Sequence, residues 1–124
     1  RQEMSLRRRA YLRGHSAERR CSLLLRLKGW RILARRYRTP VGEIDLIAKR
    51  GNIVAAIEIK ARRSLTEALE AVTPRQQRRI ERAAQAFLSQ HPKWRNLGFR
   101  FDVMAVTPWR LPRHVMDAWR PEAE

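Results

Sequence analysis

This chain of 124 residues has one cysteine, three histidines and, against 28 Lys and Arg, only twelve acidic residues. A lone Cys21 excludes a disulfide framework and a cysteine-based zinc site. His15, His91 and His114 are widely spread and show no ligand spacing. No apolar run approaches the length that spans a bilayer, so no membrane partner is expected. No signal-peptide pattern opens the chain, and a cytoplasmic location is expected. The first residue is Arg1, not Met, which places the expected translational start upstream. Internal repeats and low-complexity segments are absent as well.

What is abundant is positive charge. Lys and Arg number 28 against 12 Asp and Glu, a formal charge of +16. Such an imbalance opposes compaction and favours a polyanionic partner, with nucleic acid ahead of an anionic membrane surface. Arginine dominates the basic set, and its planar fork suits phosphate oxygens better than the point charge of lysine. Apolar residues make up 44% of the chain, enough for a core, so it is globular and not a disordered basic tail. The length suits one domain. Residues 1–14, with Arg7, Arg8, Arg9 and Arg13, read as a basic arm, lying along phosphate or simply solvated, ahead of a single domain at 15–124.

Periodicity predicts the order α-β-β-β-α-β. His15 to Lys28 is amphipathic, with Ser16 as N-cap, Gly29 as C-terminal stop, and Ala17, Cys21, Leu24 and Leu25 as the buried stripe. Trp30 to Arg38 reads as a strand with Trp30, Ile32 and Ala34 alternating against Arg31, Leu33 and Arg35. Gly42 to Ala48 and Asn52 to Ala61 form a hairpin about the turn Lys49–Asn52. Leu65 to Val72 contributes one helical turn. Thr73 caps the best-marked helix, with Pro74 at its first position and Gln76 completing a capping box. Ile80, Ala83, Ala84, Phe87 and Leu88 form its inner stripe, and Gln77 shares the inward side of its first turn. Gly98 to Val106 alternates as a fourth strand, carrying Asp102 opposite Phe101 and Val103, with an arginine as the expected partner. A short edge strand is expected near Leu111 to Val115, and Trp109 and Trp119 are expected to pack, base stacking being the open alternative. A meander followed by a helical crossover gives an α/β sandwich, a mixed sheet flanked by helices.

The chemistry concentrates on the hairpin. Period-two alternation puts Glu43 and Asp45 opposite Ile44 and Leu46, and sets Glu58 and Lys60 on one face of the next strand. Pairing those strands brings Asp45, Glu58 and Lys60 to one place. Charges among buried hydrophobes are costly unless paired or bound to a metal. Two carboxylates and the Ile59 carbonyl are hard oxygen ligands of the kind magnesium takes, with Lys60 beside a bound water. The bland alternative is a salt bridge from Lys60 to Glu58 or Asp45 on a solvated sheet face. Glu18, near the edge of the first helix's apolar face, either serves the helix dipole or joins the acidic site. For Gln77, core edge and site contact are both open. The exposed arginines Arg75, Arg78 and Arg79, with Arg82, suit a phosphate-binding ridge, and Arg35, Arg62 and Arg63 extend the basic surface toward the acidic residues.

The runs Gly42–Ala48 and Ile57–Arg62, with Gly14–Glu18, Val72–Gln77 and Arg100–Val103 in the same order, resemble the YraN family of small bacterial proteins, predicted endonucleases. The resemblance covers residues 14 to 106. That family is similar to archaeal Holliday-junction resolvases and to the restriction-endonuclease-like superfamily, which implies that fold and a PD-(D/E)xK site. By this resemblance Asp45 and Glu58 are metal ligands for Mg2+ or Mn2+, and Lys60 is the catalytic lysine. Glu18 is the additional acidic ligand, and Gln77 is the glutamine that follows the core strands. Ile44 stands where the motif has proline. The implied activity is endonucleolytic cleavage of DNA, branched or structured DNA being favoured, by a homodimer. The rival reading is the same fold as a non-catalytic nucleic-acid-binding module, and a third is an adaptor whose charge serves a protein or ribosomal partner.

Overall fold

The computed structural model describes the backbone of residues 2–122 and the side chains of residues 14–122. Helix α1 (Gln2–Leu27) is followed by the strands β1 (Arg31–Thr39), β2 (Gly42–Arg50) and β3 (Ile53–Ala61). Helices α2 (Leu65–Glu70) and α3 (Pro74–Gln90) and a short 3-10 turn (Pro92–Trp94) lead to β4 (Gly98–Val106) and β5 (Arg113–Trp119). The five strands form one sheet in chain order. β1, β2 and β3 are an antiparallel meander, β4 joins β3 in parallel, and β5 closes the far edge antiparallel. The expected mixed α/β sandwich is the observed architecture. The single helical turn expected at Leu65 is α2, whose first N–H groups are capped by Ser64 Oγ, accepting from Glu67 N at 3.1 Å.

Two apolar layers cover the sheet. One face packs Ala17, Cys21 and Leu25 of α1 onto Leu46, Ala48, Ala55, Ile57 and Met104. The other packs Ile80, Ala83, Ala84 and Phe87 of α3 onto Ile44, Ile47, Val54, Ala56 and Val103. The alternation of Val54, Ala55, Ala56 and Ile57 between the two layers is the period of a strand buried on both sides. The stripe expected on α3 is the buried one, with Leu88 half-buried at its end. Cys21 is fully buried, and burial pushes its thiol up to about 12, so it packs and does not react.

Three local readings are corrected. Helix α1 starts at Gln2 and not at His15, so Ser16 is an interior residue whose carbonyl accepts from Arg20 Nε at 3.4 Å. The preceding stretch is made mostly of Arg and Leu with single Ala, Gln, Glu and Met residues, all good helix formers that carry the helix through Gly14 despite a glycine cost of about 1 kcal/mol. The side chains of Arg7, Arg8, Arg9 and Arg13 lie outside the described residues. In β1 a bulge between Ile32 and Ala34 breaks the expected alternation, leaving Ile32 on the α1 side and Ala34 on the α3 side. In β2, Ile44 and Leu46 do not share a face: Ile44 enters the α3 layer and Leu46 the α1 layer.

Candidate functional site

The break at Asp45 makes the site. Pairing of β2 with β3 runs from Arg50 with Ile53 to Leu46 with Ile57 and goes no further. The pairing of β3 with β4 continues to Ala61 with Val106, extended by Arg62 N donating to the Val106 carbonyl at 3.0 Å. So β3 stays with β4 while β2 splays away. At the fork the Asp45 carboxylate takes over the lost ladder bond, accepting from Ile59 N at 2.8 Å. A carboxylate thereby stands inside the sheet at the point where its two central strands part.

Glu58 lies beside it on β3 and is 5% exposed. It points into the α3 side of the sheet, where Gln76 Nε2 donates to Glu58 Oε2 at 2.5 Å. Lys60 Nζ stands 3.7 Å from the same oxygen. Burial, then the charge and hydrogen bond of Asp45, push the Glu58 carboxyl up to about 9, with Lys60 opposing. At neutral pH Glu58 therefore keeps a proton that it can share with Asp45. Asp45, Glu58 and Lys60 do converge, as the hairpin reading expects; the Lys60–Glu58 ion pair of the alternative reading is present too, but on a buried and not a solvated face.

Above Asp45, Ile59 and Lys60 opens a cleft of about 990 Å³, and Glu58 lies behind this floor, toward α3. Ala17 and Glu18 of α1 form one wall, and Thr107, Pro108 and Trp109 the other. Arg62 and Arg63 stand at its rim, both exposed. Glu18 faces the cleft but is engaged by Arg36, whose Nε donates to Glu18 Oε2 at 2.9 Å. Arg36 reaches it from β1 with a positive φ of 48°. Among the described residues no three His, Cys, Asp or Glu side chains gather closely enough to hold a metal ion. Of the three expected ligands Asp45 and Glu58 lie together, while Glu18 is paired to Arg36.

The two remaining carboxylates still suit a hard divalent cation. They press against each other in a buried fork, burial first and Asp45 second holding Glu58 protonated, and magnesium commonly takes one or two carboxylates plus substrate oxygens.

Gln77 does not reach Glu58. Its Nε2 donates to the Val72 carbonyl at 3.2 Å, tying α3 to the loop before it. Gln76 holds the place instead. Thr73 Oγ1 accepts from Gln76 N at 3.2 Å, half of the expected capping box, but the Gln76 side chain turns away from Thr73 to Glu58. The sequence signal for Gln76 was present but was assigned to the cap. Asp102, as expected, pairs with an arginine and lies outside the cleft: Arg100 Nε and Nη2 donate to its two oxygens at 2.8 and 2.9 Å.

The arginines occupy three places. Arg62 and Arg63 edge the cleft. Arg75, Arg78 and Arg79 are exposed on α3. Arg35 lines a second groove of about 560 Å³ against α1 with Arg19 and Arg26, and Arg20 borders both this groove and the cleft.

The sequence pattern described as uncharacterised protein family UPF0102 matches residues 17–106. A UPF0102 protein of Parvibaculum lavamentivorans is 54% identical over 112 residues, covering 90% of this chain and 84% of its own. One of Rhizobium meliloti is 54% identical over 111 residues, 90% and 91% of the respective chains. One of Paramagnetospirillum magneticum is 50% identical over 115 residues, 90% and 89%. The matched segment holds Glu18, Asp45, Glu58, Lys60 and Gln76.

Proposed function

This chain belongs to the uncharacterised protein family UPF0102, and from the chemistry of its cleft we propose that it is a divalent-metal-dependent nuclease acting on DNA phosphodiesters. The observation that carries the reading is the packing of Asp45 against Glu58 at the open fork of β2 and β3, with Lys60 beside them and arginines at the rim. A structural salt bridge needs one carboxylate for one lysine. A second carboxylate held at a pKa of about 9 is a cost that a bound cation would remove.

Asp45, Glu58 and the Ile59 carbonyl would hold Mg2+ or Mn2+. The ion's chemistry there is to polarise a phosphate oxygen and to acidify water. Lys60 contributes a cation where negative charge grows on a phosphate under attack. Gln76 fixes the rotamer of Glu58. Arg62 and Arg63 hold the phosphodiester backbone, and the arginines of α3 and of the second groove extend the contact. The resolvase-like preference for branched DNA and the homodimer remain part of this proposal by resemblance alone.

The test is cleavage of labelled duplex, single-stranded, flap and four-way-junction DNA in magnesium or manganese, with Glu58→Ala alongside. Cleavage abolished by Glu58→Ala supports the nuclease. Tight binding without cleavage in either metal replaces it with a binding module on the same fold.

A further inference from the structure

Three of the four tryptophans are packed. Trp30 is 3% exposed beneath Arg50 and Arg100. Trp94 stacks on Phe87, and Trp119 stacks on Phe101 while its Nε1 donates to Glu81 at 2.9 Å. Trp109, also expected to pack, is fully exposed, at 101%. Its indole stands on the wall of the cleft whose floor is Asp45 and Lys60. The backbone beneath it is held at a φ of +66°, a left-handed conformation that costs a residue with a β-carbon about 1 kcal/mol or more. Two residues earlier Thr107, on the same wall, is 4% exposed, and its Oγ1 makes no hydrogen bond. A buried hydroxyl without a partner is uncommon, because it forfeits its hydration.

An exposed indole and a rim of arginines in one cleft suit one ligand chemistry. The aromatic face takes a flat apolar ring, and Arg62 and Arg63 take the phosphates that join such rings, while the buried Thr107 supports the turn that carries the indole. A continuous duplex would first have to unstack a base step to use the indole, whereas an unpaired base is already free to stack. We infer that the turn Thr107–Trp109 is a stacking platform for an unpaired DNA base, placed by Trp109. The substrate class of the proposed nuclease is then DNA with an unpaired nucleotide next to the scissile phosphate. The inference rests on that reading for the reaction but not for the binding.

The experiment measures binding of the full chain in EDTA, where no cleavage occurs. The probes are a fluorescein-labelled duplex, the same duplex carrying a single-stranded flap, and the flap with abasic sites replacing its bases. Expected is tighter binding of the flap than of the duplex. Trp109→Ala weakens flap binding about tenfold, Trp109→Phe retains most of it, and duplex binding is unchanged in both. The abasic flap costs the native chain the same factor and costs Trp109→Ala nothing. Equal weakening of flap and duplex by Trp109→Ala overturns the inference, as does indifference of the native chain to the abasic flap, or failure to bind any of the three DNAs. Base-dependent flap binding by a chain that cleaves nothing in magnesium or manganese sinks the nuclease and leaves the platform standing.

Discussion

Gln76 donates from the first turn of α3 to a carboxyl, that of Glu58, buried in the middle of the sheet. It comes from position three of a helix whose cap, Thr73, takes only the backbone N–H of the same residue. A helix start is thereby bound to a site residue on β3, and the site's geometry depends on how α3 is seated. Gln76→Ala should lower kcat for DNA cleavage about tenfold with KM little changed, because it releases Glu58 without touching the phosphate-binding arginines. Gln77→Ala should leave kcat within about twofold while costing about 1 kcal/mol of stability through the lost bond to Val72. Steady-state kinetics and urea unfolding of the two variants, side by side, decide it. The reverse pattern would return the site role to Gln77.

The raised Glu58 carboxyl predicts a pH dependence of folding. An unfolded glutamate loses its proton near its ordinary 4.5, whereas the folded one keeps it to about 9. Between those values the folded state binds more protons than the unfolded one, so this group lowers stability as pH rises through the window. Glu58→Gln, which cannot ionise, should remove that slope and melt about 5 °C or more above the native chain near pH 8 in EDTA. Magnesium should raise the melting temperature of the native chain and not that of the variant. A Glu58→Gln chain less stable than the native one at that pH would mean that the carboxylate is already compensated by its neighbours.

Asp102 shows the opposite case. It is fully buried, and burial alone would raise its pKa. His114 Nε2 at 2.7 Å, the two bonds from Arg100 and the N–H of Asp117 at 2.9 Å outweigh that and hold it below its ordinary value. This cluster ties β4 to β5, and Arg100 and His114 also pack on Trp30. Asp102→Asn should cost about 3 kcal/mol, since it leaves buried donors without a charge to face. Because the folded pKa is depressed, the stabilisation is present above the ordinary aspartate value and is lost as pH falls through the folded one. The gap between native and variant in urea unfolding should therefore be widest near neutrality and close in acid. DNA cleavage by the folded variant should be unchanged.

The parts of this fold that were legible have short-range causes. Alternation in Val54–Ile57, the apolar stripe of α3 and the Thr73–Pro74 cap each depend on neighbours within a turn or a strand, so spacing alone reveals them. The rest depends on distant pairing. Nothing in Arg31–Thr39 announces the bulge after Ile32 or the ion pair of Arg36 with Glu18, and nothing in Gly42–Arg50 says that β3 will leave β2 at Asp45 and follow β4. Spacing marks Gln76 as a capping residue and nothing more, because its reach to Glu58 depends on where α3 seats on the sheet. Trp109 has no periodic neighbours in a proline-rich turn, so only the folded chain tells an exposed indole from a packed one.

Gly42 joins the site's strand to its helix. It is buried at the start of β2, and a β-carbon there would lie 2.0 Å from the carbonyl oxygen of Arg79 and 2.7 Å from its carbonyl carbon. Both atoms belong to the backbone of α3, so no side-chain rotation relieves the clash and the helix must move off the sheet. Gly42→Ala should cost about 3 kcal/mol or more, at the upper end of overpacking. A shift of α3 also carries Gln76 away from Glu58, so the folded fraction should lose activity together with stability. Urea unfolding combined with cleavage per folded molecule separates the two effects. A Gly42→Ala chain that melts with the native one and cleaves at its rate would mean that α3 does not need its close seat on β2.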